Sequence, residues 1–250
     1  MQRFFAGPEE IDEENRRISI HGEDVNHIKN VLRMKPGDEA YISDGERYEY
    51  KSRLLGCTPA EADFEILWRA EPAYELPSKI WLFQGLPKGD KMEFIIQKAV
   101  ELGACAIVPV SMKRCVVRLD EKRGQKKVDR WQQIARGAAE QSKRMLIPEI
   151  RPVTDYKDAV KMAEDLDILL APYELSRGMD ETREILDNIR PGQSVGIFIG
   201  PEGGFEEEEI RLAMDAGAKA ISLGHRILRT ETAGMTLLSA LMLHLDERNT

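Results

Sequence analysis

The chain has 250 residues, 42% hydrophobic and 32% charged, with a formal net charge of −8. This suits a soluble protein of one large or two smaller domains, with a real core and a heavily charged surface. No stretch reaches the roughly 20 apolar residues of a bilayer span, and Met1 to Arg17 lacks the apolar core of a signal peptide.

Residues 1 to about 70 carry short alternating runs separated by turn signals. Arg17 to Ile20, Glu39 to Ile42 and Tyr48 to Leu55 read as strands. Lys35-Pro36-Gly37-Asp38 and Ser43-Asp44-Gly45-Glu46 read as turns, Asp-Gly being a strong hairpin signal. One short helix, Asp24 to Leu32, interrupts the pattern. The expectation is a small β-barrel-like module over residues 1–71, followed by a linker from Glu71 to Ser78 bracketed by Pro72 and Pro77.

From residue 76 to 250 strand and helix patterns alternate. Ile80 to Leu86 is β-rich. Asp90 to Leu102 then places Met92, Ile95, Ile96, Ala99 and Val100 on one helical face, with Gly103 as C-terminal cap. Ala106 to Val110 is the next strand, and Val128, Trp131, Ile134 and Ala138 mark a further helix. Later strands are Ile168 to Ala171, Val195 to Ile199 and Ala220 to Leu223, and Ala233 to Leu245 is the final helix. Continuous apolar runs between amphipathic helices indicate an α/β domain, a parallel sheet covered by helices on both faces.

Charge distribution qualifies the negative total. Between Lys113 and Arg144 eleven Lys and Arg stand against four Asp and Glu, a local +7. This permits phosphate binding, although a solvated basic helix accounts for it equally well. Cys57, Cys105 and Cys115 form no paired spacing and read as reduced thiols, which places the expected protein in the cytoplasm. His21, His27, His225 and His244 are too scattered for a metal site.

In open α/β sheets ligands bind beyond the C-terminal ends of the strands. Two loops qualify here. Ile199-Gly200-Pro201-Glu202-Gly203-Gly204-Phe205 follows an apolar strand, and its glycines allow close backbone approach to a ligand. A tight turn with no ligand explains the same glycines. The Glu206 to Glu209 run then opens a helix and disfavours a phosphate, so a cofactor without phosphates fits better. The second loop, Leu223 to Ala233, mixes an apolar Ile227-Leu228 pair with Arg226, Arg229, Thr230, Glu231 and Thr232. Thr230 as a helix cap, with Glu231 in the first turn, explains part of it. A pocket wall with polar ends explains the apolar pair. Gly85 to Lys91 resembles a phosphate loop only superficially, with the wrong spacing and with Met92 where Ser or Thr is required. Neither a G-x-G-x-x-G nor a G-x-S-x-G pattern appears.

Several ordered segments carry a resemblance. They are His27 to Met34, Lys91 to Gly103, Trp131 to Ala135 with Ala139 to Ser142 and Arg144, Gly200 to Gly204, and Leu223 to Ala233. Together the sequence resembles the RsmE-type 16S ribosomal RNA uridine N3-methyltransferases of the SPOUT superfamily, nearly end to end. The resemblance implies a PUA-like RNA-binding N-terminal module and a methyltransferase domain with a deep trefoil knot. It also implies S-adenosylmethionine as cofactor, 16S ribosomal RNA of the small subunit as partner, and a homodimer without membrane or metal. In the site so implied, Ile199, Gly200, Gly203, Gly204, Leu223, Gly224, Ile227 and Leu228 offer backbone groups and an apolar wall to the cofactor. Thr232 and Ala233 close the pocket. Arg229 stabilises the uridine anion or a neighbouring phosphate, and Glu231 is the carboxylate available to remove a proton or to orient Arg229. Arg33, Lys35, Arg114 and Arg144 are the expected RNA contacts.

Overall fold

A computed structural model describes residues 1–72, 74–173 and 178–247. The chain divides into two compact units. The first comprises Met1–Glu75 together with Ala139–Ile147, and the second comprises Leu76–Ala138 with Pro148–Thr250.

The first unit is built on β1 (Gln2–Phe5), β2 (Ile11–Asp12), β3 (Arg17–His21), β4 (Glu39–Ser43), β5 (Glu49–Cys57) and β6 (Glu61–Ala70). They form one curled sheet in the order β1-β4-β5-β6-β3-β2, antiparallel except for the parallel β1–β4 pair. Alternation dictates which face is buried. Phe4, Ile18, Ile20, Ile42, Leu54 and Phe64 point into one core together with Ile28. Each such side chain contributes about 1.5–3 kcal/mol on burial. Ile28 comes from the expected short helix, which is a single turn α1 (Glu23–Asn26) running into a π-turn over His27–Val31. The hairpin turn between β4 and β5 is held by Asp44, whose Oδ1 accepts the backbone N–H groups of Glu46, Arg47 and Tyr48.

Residues 139–147 belong to this unit through polar contacts that no local pattern announces. The Arg144 guanidinium makes a two-pronged ion pair with Glu75, and Glu75 Oε1 also accepts the N–H of Met145 at 2.8 Å. Ser43 donates to the Met145 carbonyl at 3.0 Å. Arg3 pairs with Glu49 and lies over the rings of Tyr41 and Tyr74. Burial pushes the Glu49 carboxyl above the ordinary range, with Arg3 pulling the other way.

The second unit contains β7 (Lys79–Gly85), β8 (Ala104–Ser111), β9 (Glu149–Ile150), β10 (Thr154–Asp155), β11 (Ile168–Pro172), β12 (Ser194–Ile199) and β13 (Lys219–Ile221). The sheet is parallel throughout, in the order β10-β8-β7-β12-β11-β13, with β9 also on the edge of β8. From β7 the chain builds outward through β8, then crosses to β11 and returns to place β12 against β7. That reversal makes the junction of β7 and β12 the switch point of the sheet.

Val195, Ile197, Phe198 and Ile199 of β12 are all buried, as expected for a strand covered on both faces. α2 (Lys91–Glu101) buries Met92, Ile95, Ile96, Ala99 and Val100, the same five residues that its periodicity selects. α3 (Glu121–Gln141), α4 (Tyr156–Ala163), α5 (Met179–Asp187), α6 (Glu207–Asp215) and α7 (Thr230–Glu247) complete the unit. α7 begins three residues before the expected Ala233.

Candidate functional site

Both candidate loops leave the C-terminal ends of strands that flank β11, and they line one cavity of about 530 Å³. That volume lies within the range of small-molecule sites. The glycine loop follows β12 and the second loop follows β13. Pro172 and Tyr173, at the end of β11, supply another wall.

The glycine loop is tightly built. A Cβ at Gly200 would stand 3.1 Å from the Gly204 carbonyl carbon and 3.3 Å from the Phe205 nitrogen, so a side chain there fits only if that backbone gives by a few tenths of an ångström. Gly204 adopts φ +70°, the left-handed region that favours glycine. Arg114 packs along Gly203, donates to its carbonyl at 2.8 Å and pairs with Glu206 at 2.8 Å. Glu206 is the N-cap of α6 and forms a capping box with Glu209, which is 5% exposed and also accepts the Lys113 N–H at 2.8 Å. The carboxylates of Glu206 to Glu209 occupy the start of α6, where a phosphate would otherwise dock.

The second loop differs. Gly224 has φ +101°, and His225, Arg226, Ile227 and Arg229 are exposed, Ile227 at 89%. Thr230 is 5% exposed and joins three chain segments. Its hydroxyl donates to the Gly200 carbonyl at 2.6 Å and accepts from Gln84 Nε2 at 2.8 Å. Gln84 is fully buried in β7 and also donates to the Gly85 carbonyl. Thr230 is therefore not a helix cap. It fastens the start of α7 to the ends of β7 and β12, across the switch point.

Of the residues the sequence singles out, Ile199, Gly200, Gly203, Gly204, Leu223, Gly224, Ile227, Leu228 and Ala233 line the cavity, as does Arg229. Thr232 and Glu231 do not. Glu231 is turned toward Lys91, with its Oε2 at 3.4 Å from Nζ, and its side chain is 15% exposed. Lys91, the first residue of α2, lines the cavity and pairs more closely with Glu202 at 3.0 Å. The Glu202 hydrogen bond, followed by the charges of Glu202 and Glu231, raises the Lys91 ammonium above its ordinary range and keeps it protonated. Burial alone would raise the Glu202 carboxyl, but Lys91 and the backbone N–H groups outweigh it and hold it low.

The expected RNA contacts fare unequally. Arg33 and Lys35 are exposed, and Arg33 is held at φ 54°, an unfavourable conformation for a side chain of its size. Arg114 is bound to the glycine loop. Arg144 is only 4% exposed and engaged by Glu75 within the first unit. Burial takes Arg144 off the RNA-facing surface that its charge suggested, because nothing local in the sequence reveals Glu75 as its partner.

Sequence reading missed Gln84, Lys91 and Tyr173 as parts of the site, and it offered Thr230 of the second loop as a helix cap. Tyr173 was open to discovery from its place after β11, by the same rule that found the two loops. The other three act through partners distant in sequence: Gln84–Thr230 and Lys91–Glu202 lie more than 100 residues apart and Thr230–Gly200 lies 30 apart, beside the local Gln84–Gly85 bond.

A parallel α/β sheet with a cavity at its switch point, on a chain that also carries a small curled-sheet unit, defines a small-molecule-binding α/β domain with an accessory module. An RNA methyltransferase domain model matches residues 74–242, an RNA methyltransferase PUA domain model matches residues 20–67, and the chain belongs to this RNA methyltransferase family. It is similar to the ribosomal RNA small subunit methyltransferase E of Bacillus subtilis, 38% identical over 96% of both chains. A solved ribosomal RNA small subunit methyltransferase E from Neisseria gonorrhoeae, bound to S-adenosylmethionine, is 34% identical over 97% of both chains, with a TM-score of 0.82. A Legionella pneumophila protein solved with the same cofactor is 33% identical over 96% of both, with a TM-score of 0.85. No described helix is long and apolar enough to cross a membrane.

Proposed function

We propose that this protein transfers the methyl group of S-adenosylmethionine to N3 of a uridine in 16S ribosomal RNA of the small subunit, acting in the cytoplasm as a homodimer with a knotted catalytic domain. The observation that carries the reading is the meeting of the two loops around one cavity at the switch point. The chain shares its fold and a third of its residues with proteins solved with that cofactor.

The cavity fits the cofactor on its own terms. Gly200, Gly203 and Gly204 line the cavity with backbone and no side-chain bulk, and the acidic start of α6 suits a ligand without phosphates. Ile199, Gly200, Gly203, Gly204, Leu223, Gly224, Ile227, Leu228 and Ala233 are the residues to hold it. Thr232 supports that wall from the first turn of α7. When bound, the cofactor supplies an electrophilic methyl group on a cationic sulfur.

The chain must then position the uridine and stabilise the anion left when its N3 proton departs. Arg229 is exposed at the cavity and is assigned to the anion or an adjacent phosphate. Glu231 acts from behind the wall, through Lys91, rather than by touching the uridine. Arg33 and Lys35 hold the RNA by its phosphates, aided by the exposed cations Lys122, Arg123, Lys126 and Arg130 of α3. Mapping ribosomal RNA modifications by mass spectrometry in a deletion strain tests the reading. Loss of a 3-methyluridine from 16S RNA is expected, and an unchanged modification pattern would refute it.

A further inference from the structure

Among the described residues, Lys91 is the cavity-lining side chain that pairs with both Glu202 and Glu231. An ammonium has three N–H donors. One is directed to Glu202 at 3.0 Å and a second faces Glu231 at 3.4 Å. The third has no partner among the described residues, while Lys91 itself lines the cavity. Glu202 is fixed in turn, because its Oε1 also accepts the Lys88 N–H at 3.1 Å. Two carboxylates, Glu202 on the glycine loop and Glu231 in the first turn of α7, thus orient one cation at the start of α2.

Resting on the reaction assigned above, we infer that Lys91 is a catalytic residue: its free N–H donates to a uracil carbonyl beside N3 and stabilises the uridine anion. N3 loses its proton to solvent water. The nitrogen lone pair then forms the bond to the methyl carbon, and the pair of the broken carbon–sulfur bond stays on sulfur. A cation held in place by two carboxylates stabilises developing negative charge without having to reorganise during the reaction. Lys91 is unsuited to being the base, because its two carboxylates hold it protonated. Among the described residues, the other titratable groups lining the cavity are Glu202, Tyr173, His225, Arg226 and Arg229, with Glu231 behind Lys91. A comparison of variants at position 91 alone leaves all of them in place.

The test compares the wild type with Lys91→Met and Lys91→Arg on small subunits lacking the mark. Methyl transfer is followed across pH, and cofactor affinity is measured by calorimetry. Lys91→Met is expected to keep cofactor binding and lose roughly 10²-fold in turnover near neutrality. Its rising pH limb should move up by about one to two units, since less of the uridine ionises at a given pH. Lys91→Arg should recover part of both. Unchanged turnover, a loss equal at every pH, or a loss explained by failed cofactor binding would each overturn the assignment. Digestion of the wild-type product separates this from failure of the parent reading: a methyl group found elsewhere than uridine N3 refutes the reaction and the Lys91 role together.

Discussion

The two loops that line the cavity are made on opposite principles. The glycine loop is locked by backbone contacts, by Arg114 along Gly203 and by the Glu206–Glu209 box. The second loop exposes His225, Arg226, Ile227 and Arg229 and is tied down at one end, by Thr230. A rigid, side-chain-poor floor suits a small cofactor of fixed shape. A rim of long, exposed side chains suits a large substrate that must arrive and leave. On the proposed reading, the first loop supplies the fixed floor of the cofactor site, and the second adds its wall through Leu223, Gly224, Ile227 and Leu228 while its exposed arginines serve turnover on RNA.

Four substitutions break or sharpen that division. Gly200→Val should have the largest effect, because its Cβ meets the backbone of Gly204 and Phe205. Cofactor binding measured by calorimetry should vanish. Thr230→Val leaves the Gln84 amide and the Gly200 carbonyl without their shared partner. It should lower stability by ~2–4 kcal/mol in denaturant unfolding, with Thr230→Ser far milder. Arg229→Ala should cost roughly 10²-fold in turnover while cofactor affinity holds, which separates the rim from the floor. Arg114→Ala, which loosens the floor from outside the cavity, should weaken cofactor affinity by about 1 kcal/mol. An equal loss of affinity in Arg229→Ala and Arg114→Ala would erase the distinction between the loops.

The Lys91–Glu202 pair also sets a pH dependence. Glu202 is held low in the folded chain, so its contribution to stability is present above the ordinary carboxylate range and is lost as pH falls through its lowered value. Lys91 is held high, so its contribution is complete below the ordinary lysine range and fades only as pH rises past it. Thermal unfolding should therefore show Glu202→Gln losing acid sensitivity relative to the wild type between about pH 2 and 5.

Local rules carried the sequence reading far in the second unit. α2 was legible to the residue, because a 3.6-residue period over eleven positions leaves little choice of face. Both loops were legible because strand ends in parallel sheets are where ligands bind. β6, at ten residues the longest strand of the first unit, stayed unread. Its apolar alternation at Ala62, Phe64 and Ile66 is interleaved with Glu61, Asp63 and Glu65, with no Asn-Gly or Asp-Gly signal at its start. The assignment of Arg144 to RNA failed for a different reason. A buried ion pair with Glu75 is a long-range event, and a basic run in sequence gives no sign of which cation it will consume. Thr230 and Lys91 share that obscurity, since each finds its partners only once β7, β12, β11 and β13 are assembled into one sheet.

The central claim is that the cavity delivers a methyl group to N3 of a ribosomal uridine. Its most direct test is incubation of purified protein with isotopically labelled S-adenosylmethionine and small subunits lacking the mark, followed by nuclease digestion and mass spectrometry. The account predicts one labelled 3-methyluridine in 16S RNA with the wild type and none with Gly200→Val. Label on another base or another atom, or no label despite cofactor binding, would contradict it.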